Sequence, residues 1–335
     1  MTVSDFALVV FAGVLNGSFA VPMKWMRSWA WENIWLAWSA IGLLILPLGL
    51  TAITVPGLVN VYLRSEPMIL LAVFCSGLLW GISQVLFGLG IERIGIGLGF
   101  AIVISLAAVT GSLVPLLFYT HAENDLLWPR LAAGILVVLA GVGLCSYAST
   151  LKGKSAGETS SRSARLGLFL CVGAGIGGAM INVGMVAGAR IASFAAENGA
   201  QQVNQTNAVW LPLLSAGFIA TAAYCALLLT KRGRWRQFWA PRTTFYWGLA
   251  LIMALCWFGS VELYGIGAAR LGQAGPVLGW PVFLSSSIVT ANVWGAATGE
   301  WRHSAARAKK LMCAGIGVLM TAMFIIAIAH GSFRK

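Results

Sequence analysis

The sequence predicts an all-α integral membrane protein of ten transmembrane helices. Of its 335 residues, 59% are hydrophobic and only 10% are charged, whereas about 25% of the residues of a typical soluble domain are charged. Apolar stretches recur along the whole chain, and ten of them approach the length of about 20 residues that a helix needs to cross the hydrocarbon core. We therefore exclude a water-soluble globule and predict that the protein is embedded in lipid.

The ten predicted spans follow one another with short connections. The longest connections are 149–165, 189–207 and 230–244, and none of them could hold a soluble domain. The spans cover residues 4–22, 34–54, 67–90, 95–119, 130–148, 166–188, 208–229, 245–267, 276–299 and 311–330.

The first of these spans is expected to remain in the protein as a membrane helix. The opening segment MTVSDFALVVFAGVLNG has no lysine or arginine before its apolar run. A secretory signal peptide begins with a basic region, so this segment does not fit that pattern.

The basic residues indicate how the spans are oriented. The formal net charge is +12, and most of the 22 lysines and arginines fall in connections that follow odd-numbered spans. Because cytoplasmic loops carry the excess of positive charge, we predict that both termini lie on the periplasmic, outer side. The cations would face anionic lipid. We predict no nucleic-acid partner, since there is no basic soluble segment with interleaved aromatic residues.

An internal repeat relates the two halves of the chain. Residues 77–95, GLLWGISQVLFGLGIERIG, align without gaps to residues 254–272, ALCWFGSVELYGIGAARLG. Because each half has five spans, the second copy must be inverted in the membrane, an architecture that supports alternating access. We predict a first repeat over 1–150, a cytoplasmic linker over 151–165 and a second repeat over 166–335; the alternative is a duplicated scaffold without a transport role. Identical pairs include Trp80/Trp257, Ser83/Ser260, Leu86/Leu263, Gly88/Gly265, Gly90/Gly267, Arg93/Arg270 and Gly95/Gly272.

Glycines spaced four residues apart predict close contacts between helices, because a helix face without side chains lets two backbones approach. The pairs are Gly13/Gly17, Gly77/Gly81, Gly95/Gly99, Gly173/Gly177 and Gly184/Gly188.

Pro281 lacks a backbone donor and lies inside the ninth span, so it predicts either a kink or a broken helix there.

Three segments of the chain resemble one known transporter family. They are GLLWGISQVLFGLGIERIGIGLGFAIVISLAAVTGSLVPLL (77–117), NGSFAVPMKWMRSWAWENIW (16–35) and the turn TGEWRHS (298–304). These segments are similar to the L-rhamnose–proton symporter family, within the drug/metabolite transporter superfamily. The resemblance implies ten helices in two inverted five-helix repeats, an inner-membrane location and sugar uptake driven by a proton gradient. It assigns no oligomeric state.

Glu262 is the one ionisable residue that lies within a predicted span and away from its ends. Such a group costs about 2.5–3.5 kcal/mol to insert, which makes it a functional candidate. Apolar surroundings favour the neutral form of a carboxyl group. Our hypothesis is therefore that Glu262 carries the coupled proton. The alternative is a carboxylate near the outer boundary that pairs with a cation such as Arg270.

Paired aromatic residues near mid-membrane are candidates for sugar contact. Trp80 and Trp257 each lie about 13 residues into a span, and an indole face can stack on the C–H face of a sugar. Helical spacing places Gln84 on the face of Trp80, and it places Ser260 and Tyr264 on the face of Trp257. Helix packing or lipid contact is the alternative for both tryptophans.

Polar residues in other spans complete the predicted substrate site. Asn16, Ser105, Ser286 and Asn292 lie near mid-depth, and by the family resemblance spans 4 and 9 line a central cavity. Each of these side chains could instead form an interhelical hydrogen bond worth about 0.6 kcal/mol.

Five further tryptophans fall near the predicted cytoplasmic boundary and are expected to anchor the chain there. They are Trp25, Trp29, Trp31, Trp35 and Trp38.

The sequence favours a secondary transporter over an enzyme. It has no HExxH, GxSxG or phosphate-binding loop, and its six cysteines and three histidines show no metal-ligand spacing. We therefore predict no catalytic residue, metal or cofactor. The predicted partners are a small sugar, protons and the lipid bilayer, and the predicted function is proton-coupled uptake of a monosaccharide such as L-rhamnose. The alternatives are an exporter or exchanger of metabolites or drugs from the same superfamily, and a membrane receptor or scaffold that does not transport.

Overall fold

The computed structural model describes residues 3–94, 96–118, 127–152, 161–241, 243–272, 275–299, 301–302 and 304–331. Within these ranges the regular structure is helical and contains no strand, which confirms the all-α prediction. The helices are α1 (Val3–Ser18), α2 (Trp31–Ser39), α3 (Leu46–Thr54), α4 (Leu58–Arg64), α5 (Pro67–Ile94), α6 (Ile96–Phe118), α7 (Leu127–Lys152), α8 (Ser161–Gly178), α9 (Met180–Ala187), α10 (Ala189–Glu197), α11 (Asn207–Arg232), α12 (Thr244–Arg270), α13 (Gly275–Ala297) and α14 (Ala306–Gly331).

The chain is a multi-pass membrane protein. In the described ranges, seven helical segments are long and apolar enough to cross a bilayer. A π-helical segment, Ala40–Ile45, joins α2 and α3 into one of them, Trp31–Thr54. Shorter apolar stretches in α6 and α7 are Ile102–Gly111 and Ala133–Ala148. The count of ten spans therefore stays a prediction, and most of the predicted linker 151–165 lies outside the described residues.

Short helices lie in connections between the predicted spans, and one of them is α4, between the spans 34–54 and 67–90. The predicted connection 189–207 begins with helix α10, which follows α8 and α9 with single-residue breaks at Ala179 and Gly188. Helix α13 continues through Pro281, so the broken-helix alternative is wrong.

The chain divides into two compact units that are discontinuous in sequence. The first unit contains Met1–Gly17, Ser83–Ala179 and Gly267–Lys335, and the second contains Ser18–Ile82 and Met180–Ile266. The boundaries fall inside α1, α5 and α12 and between α8 and α9, so single helices contribute to both units.

The first unit is built around α6, α7, α13 and α14. Helix α7 packs along α14, and α6 packs against α7, α8 and α13. Gly13 and Gly17 bring α1 against α13, because a Cβ atom on either residue would lie within 2.7 Å of a backbone oxygen of α13. This contact agrees with the spacing prediction for that pair.

The second unit is organised around α11, which packs against α2, α3, α9 and α10. Gly77 and Gly81 on α5 meet the backbone of α11 at Leu213 and Gly217. Two further glycines, Gly184 on α9 and Gly188 just beyond it, meet the α11 side chains Leu213 and Val209. Two predicted glycine pairs therefore pack against α11, one from α5 and one from α9 and the residue that follows it.

Ion pairs hold the second unit together near both ends of α11. Glu32 at the start of α2 is only 1% exposed, and its carboxylate lies 3.3 Å from Arg232 and 3.1 Å from Arg234. Glu32 lies outside the predicted second span, which begins at residue 34, so the sequence pattern does not reveal this buried carboxylate. Near the other end, Arg64 pairs with Glu197 and Arg190 pairs with Glu66, both at 2.6 Å.

We predict that Gly77→Ala destabilises the second unit. The added Cβ atom would lie 1.9 Å from the carbonyl oxygen of Leu213, and overpacking of this kind costs about 1–3 kcal/mol. The measurement is thermal unfolding of the purified protein in detergent. Gly88→Ala on the same helix is the control, because its Cβ atom would meet no atom within 4 Å. Equal midpoints for the two variants would contradict this packing.

Candidate functional site

An aromatic cluster in the second unit brings the two repeat-related tryptophans together. Trp80 on α5 and Trp257 on α12 are stacked, with ring centroids 5.3 Å apart and an interplanar angle of 30°. Trp38 on α2 meets Trp257 edge-on at 5.4 Å. All three are buried. Because one face of each stacked indole is covered by the other indole, a sugar in this conformation could reach only their edges and outer faces.

The burial of Trp38 corrects its predicted role. Trp38 is 2% exposed and Trp29 is also buried, so neither is an interfacial anchor. Trp25 and Trp31 are exposed, as the prediction requires. Trp38 and Trp257 meet because α2 packs in the same unit as α12, which the linear sequence does not reveal.

The other two predicted residues on α12 have partners inside the protein. The hydroxyl of Ser260 donates to the carbonyl of Trp257 at 2.6 Å, so it is used within its own helix. The hydroxyl of Tyr264 donates to Oδ1 of Asn182 on α9. Asn182 is fully buried and connects α9 to α12, although the predicted site did not include it.

The carboxyl group of Glu262 lies against an amide. Glu262 is 9% exposed, and the facing side-chain amide atom of Asn207 lies 2.6 Å from Oε2 and 3.3 Å from Oε1. The other amide atom of Asn207 lies 2.9 Å from Oγ1 of Thr54. Asn207 is the first residue of α11 and Thr54 is the last residue of α3. Neither residue is among the predicted site residues, because Asn207 directly precedes the predicted span 208–229 and Thr54 ends the predicted span 34–54.

Two side-chain hydroxyls hold the backbone at Asn207 in position. The hydroxyl of Thr51 donates to the carbonyl oxygen of Asn207 at 3.1 Å. The hydroxyl of Tyr62 on α4 donates to the carbonyl oxygen of Ala208 at 3.0 Å. Two hydrogen bonds from separate helices therefore hold the start of α11, and the side chain of Asn207 is left to interact with Glu262 and Thr54.

Predicted site residues of the first unit are held mainly by α13. Nδ2 of Asn16 donates to Oγ of Ser287 at 3.1 Å. Ser286 and Asn292 donate to carbonyl oxygens of their own helix, at 2.7 Å and 2.9 Å.

Two other predicted residues of the first unit, Gln84 and Ser105, are half-buried. Their side chains make no hydrogen bond within the part of the chain that the structure describes. Gln84 lies one turn after Trp80 on the continuous helix α5.

Comparison with known proteins identifies the family. The model of the family described as L-rhamnose-proton symport protein (RhaT) matches residues 6–332. The chain belongs to the RhaT family.

Relatives in the RhaT family resemble the chain over nearly its whole length. An L-rhamnose-proton symporter of Mannheimia succiniciproducens is 23% identical over 342 residues, which covers 95% of each chain. Proteins of the same name from Citrobacter koseri and Escherichia coli are each 24% identical, with 92–94% of both chains covered. The RhaT family consists of proton symporters, so the prediction that the chain is not an enzyme is confirmed.

We predict that Tyr264→Phe destabilises the protein by about 1–3 kcal/mol, since it removes a buried donor from Asn182. Tyr147→Phe is the matched control, because Tyr147 is 48% exposed and surface changes alter stability by about 0.5 kcal/mol or less. Thermal unfolding in detergent measures both. A loss for Tyr264→Phe no larger than that of the control would exclude the contact between α9 and α12.

Proposed function

We propose that the chain is a secondary active transporter that takes up L-rhamnose, or a similar deoxyhexose, together with protons. The observation that carries this proposal is the family match over residues 6–332. Relatives that cover more than nine-tenths of the chain bear the name L-rhamnose-proton symporter. The alternative of a metabolite or drug exporter of the drug/metabolite transporter superfamily is not favoured by these relatives.

We also propose ten spans in two inverted repeats, in the inner membrane and with both termini outside. Elements related by a two-fold axis meet their own equivalents beside that axis. Within the second unit, Trp80 stacks on its repeat equivalent Trp257. Within the first unit, α6 packs on α13 and α7 packs on α14, which are the predicted fourth, ninth, fifth and tenth spans. These pairings support two related halves, the arrangement from which alternating access is built.

Glu262 is the proposed proton carrier. Its carboxyl group is buried within α12 beside a neutral amide. A second buried carboxylate among the described side chains, Glu32, is an ion-pair partner of Arg232 and Arg234. A carboxyl group beside a neutral partner can gain and lose a proton without breaking a salt bridge, which is what cyclic coupling requires.

The proposed sugar contacts are Trp80, Gln84, Trp257, Ser260, Tyr264, Asn16, Ser105, Ser286 and Asn292. Sugar hydroxyls leave water only when the protein supplies hydrogen-bond partners. Gln84 and Ser105 make no side-chain hydrogen bond within the described ranges, so we assign them direct hydrogen bonds to the substrate. Ser260, Ser286 and Asn292 already bond to carbonyl oxygens of their own helices, so their contribution is to shape the surface.

The test of the proposal is uptake of labelled L-rhamnose into proteoliposomes with and without an imposed pH gradient. We expect accumulation above the external concentration only when the lumen is alkaline relative to the outside. A gradient-driven accumulation of other sugars without L-rhamnose would refute the substrate. Uptake that ignores the gradient would refute proton coupling.

We predict that Glu262→Gln abolishes gradient-driven accumulation and preserves exchange of labelled for unlabelled sugar, because glutamine cannot release a proton. Glu66→Gln is the control, since Glu66 is 55% exposed and ion-paired at the surface. Proton-driven accumulation by Glu262→Gln at the rate of the control would remove this residue from the mechanism.

A further inference from the structure

The geometry points to Asn207 and Thr54 as a reversible hydrogen-bond relay for the proton on Glu262. This inference rests on the proposed role of Glu262 and names the residues that serve both of its protonation states. A side-chain amide can serve both states because it presents an acceptor on one side and donors on the other.

The first arrangement satisfies a protonated Glu262. Here Oε2 of Glu262 donates to the amide oxygen of Asn207 across 2.6 Å. The amide nitrogen of Asn207 donates to Thr54 at 2.9 Å, and the Thr54 hydroxyl donates to the carbonyl oxygen of Leu50 at 2.7 Å. A separation of 2.6 Å lies within the usual range of an O–H···O bond, so a protonated carboxyl fits this arrangement.

The second arrangement satisfies an ionised Glu262 after a half-turn of the amide. The nitrogen of Asn207 then donates to Oε2 and Oε1 of the carboxylate, and its oxygen accepts from the Thr54 hydroxyl. Thr54 must release the carbonyl oxygen of Leu50, because a hydroxyl has one proton to donate. The loss of a proton from Glu262 on α12 is thus transmitted to the last turn of α3.

Two features make the ionised arrangement accessible inside the protein. Hydrogen bonds to a charged acceptor are roughly twice as strong as bonds between neutral groups. Asn207 is also the first residue of α11, and the positive end of a helix dipole favours an anion beside it.

The other ionisable groups of the elements around the relay are engaged elsewhere or distant. Helices α3 and α9 carry none. On α11, the ionisable residues begin 17 residues beyond Asn207, or about 26 Å along the helix, and they are Tyr224, Cys225, Lys231 and Arg232. On α12, Arg270 lies about 12 Å beyond Glu262 and Cys256 lies about 9 Å before it along the helix. The remaining groups have other contacts in the described structure: Tyr62 with Ala208, Tyr246 with Ser28, Tyr264 with Asn182, Arg64 with Glu197 and Arg190 with Glu66.

The direction of the expected effect follows from the partner that is lost. Without the amide, the ionised carboxyl loses charge-assisted bonds, which cost more than the neutral bond lost by the protonated form. Glu262 then keeps its proton to higher pH, so release of the coupled proton requires a more alkaline solution. Loss of the relay therefore shifts the pH profile of proton-driven uptake in the alkaline direction.

The experiment measures L-rhamnose uptake against pH in proteoliposomes. We expect Asn207→Leu to shift the alkaline limb of the profile upward by about one pH unit, the equivalent of one differential charge-assisted bond. Thr54→Val keeps the side-chain shape and removes the hydroxyl, so we expect a smaller shift in the same direction. Thr54→Ser restores the hydroxyl and should restore the original profile.

Thr51→Val is the matched control. Thr51 lies one turn before Thr54 and donates to the backbone carbonyl of Asn207, so its loss removes a hydrogen bond to the same residue without breaking the relay. We expect its pH profile to match that of the unmodified protein. If Asn207→Leu does not fold, the comparison of Thr54→Val with Thr54→Ser and Thr51→Val decides the question.

Two outcomes separate the relay from the proposed function. Unchanged profiles in Asn207→Leu and Thr54→Val, together with lost accumulation in Glu262→Gln, would overturn the relay and keep the proton carrier. Equal shifts in Thr54→Val and Thr51→Val would also overturn it, because they would show a merely structural role. Accumulation by Glu262→Gln would overturn the proton carrier and the relay with it.

Discussion

The structure depends on one constraint: a polar group inside the hydrocarbon must find its partner within the protein, because lipid offers none. Several polar side chains in the described spans form hydrogen bonds within their own helix. Ser260, Ser286 and Asn292 bond to carbonyl oxygens of their own helices. These hydrogen bonds need no partner from another helix. The Glu262–Asn207–Thr54 cluster meets the constraint differently, because its members come from three helices. A change in the charge of Glu262 therefore alters hydrogen bonds to residues of two other helices.

The proposed repeat has only one copy of the acidic residue in this cluster. Trp80 and Trp257 align with each other in the sequence and pack against each other, which supports a framework shared by the two proposed halves. Glu262 has no such counterpart, since the gap-free alignment places Val85 opposite it. A symmetric scaffold could supply the alternation between two states, while a single acidic residue on one copy supplies the dependence on protons. In this account, coupling resides where the two repeats differ.

Sequence reasoning succeeded where composition or spacing is decisive. The all-α membrane fold follows from too few charges to cover a soluble surface, and the contacts of Gly13/Gly17 and Gly77/Gly81 follow from their spacing. Partners were harder to predict, because they come from elements that are distant along the chain. Asn207 lies 55 residues before Glu262, at the edge of a span, and only packing brings its amide to the carboxyl group. The burial of Trp38 was missed for the same reason.

The most direct test of this account is an infrared titration of the protein in lipid, which detects the carbonyl band of a protonated carboxylic acid. The account predicts a band that gives way to carboxylate as the pH rises and that is missing from the difference spectra of Glu262→Gln. Difference spectra that are the same for the unmodified protein and this variant at every pH would show that Glu262 does not exchange a proton, and would contradict the central claim.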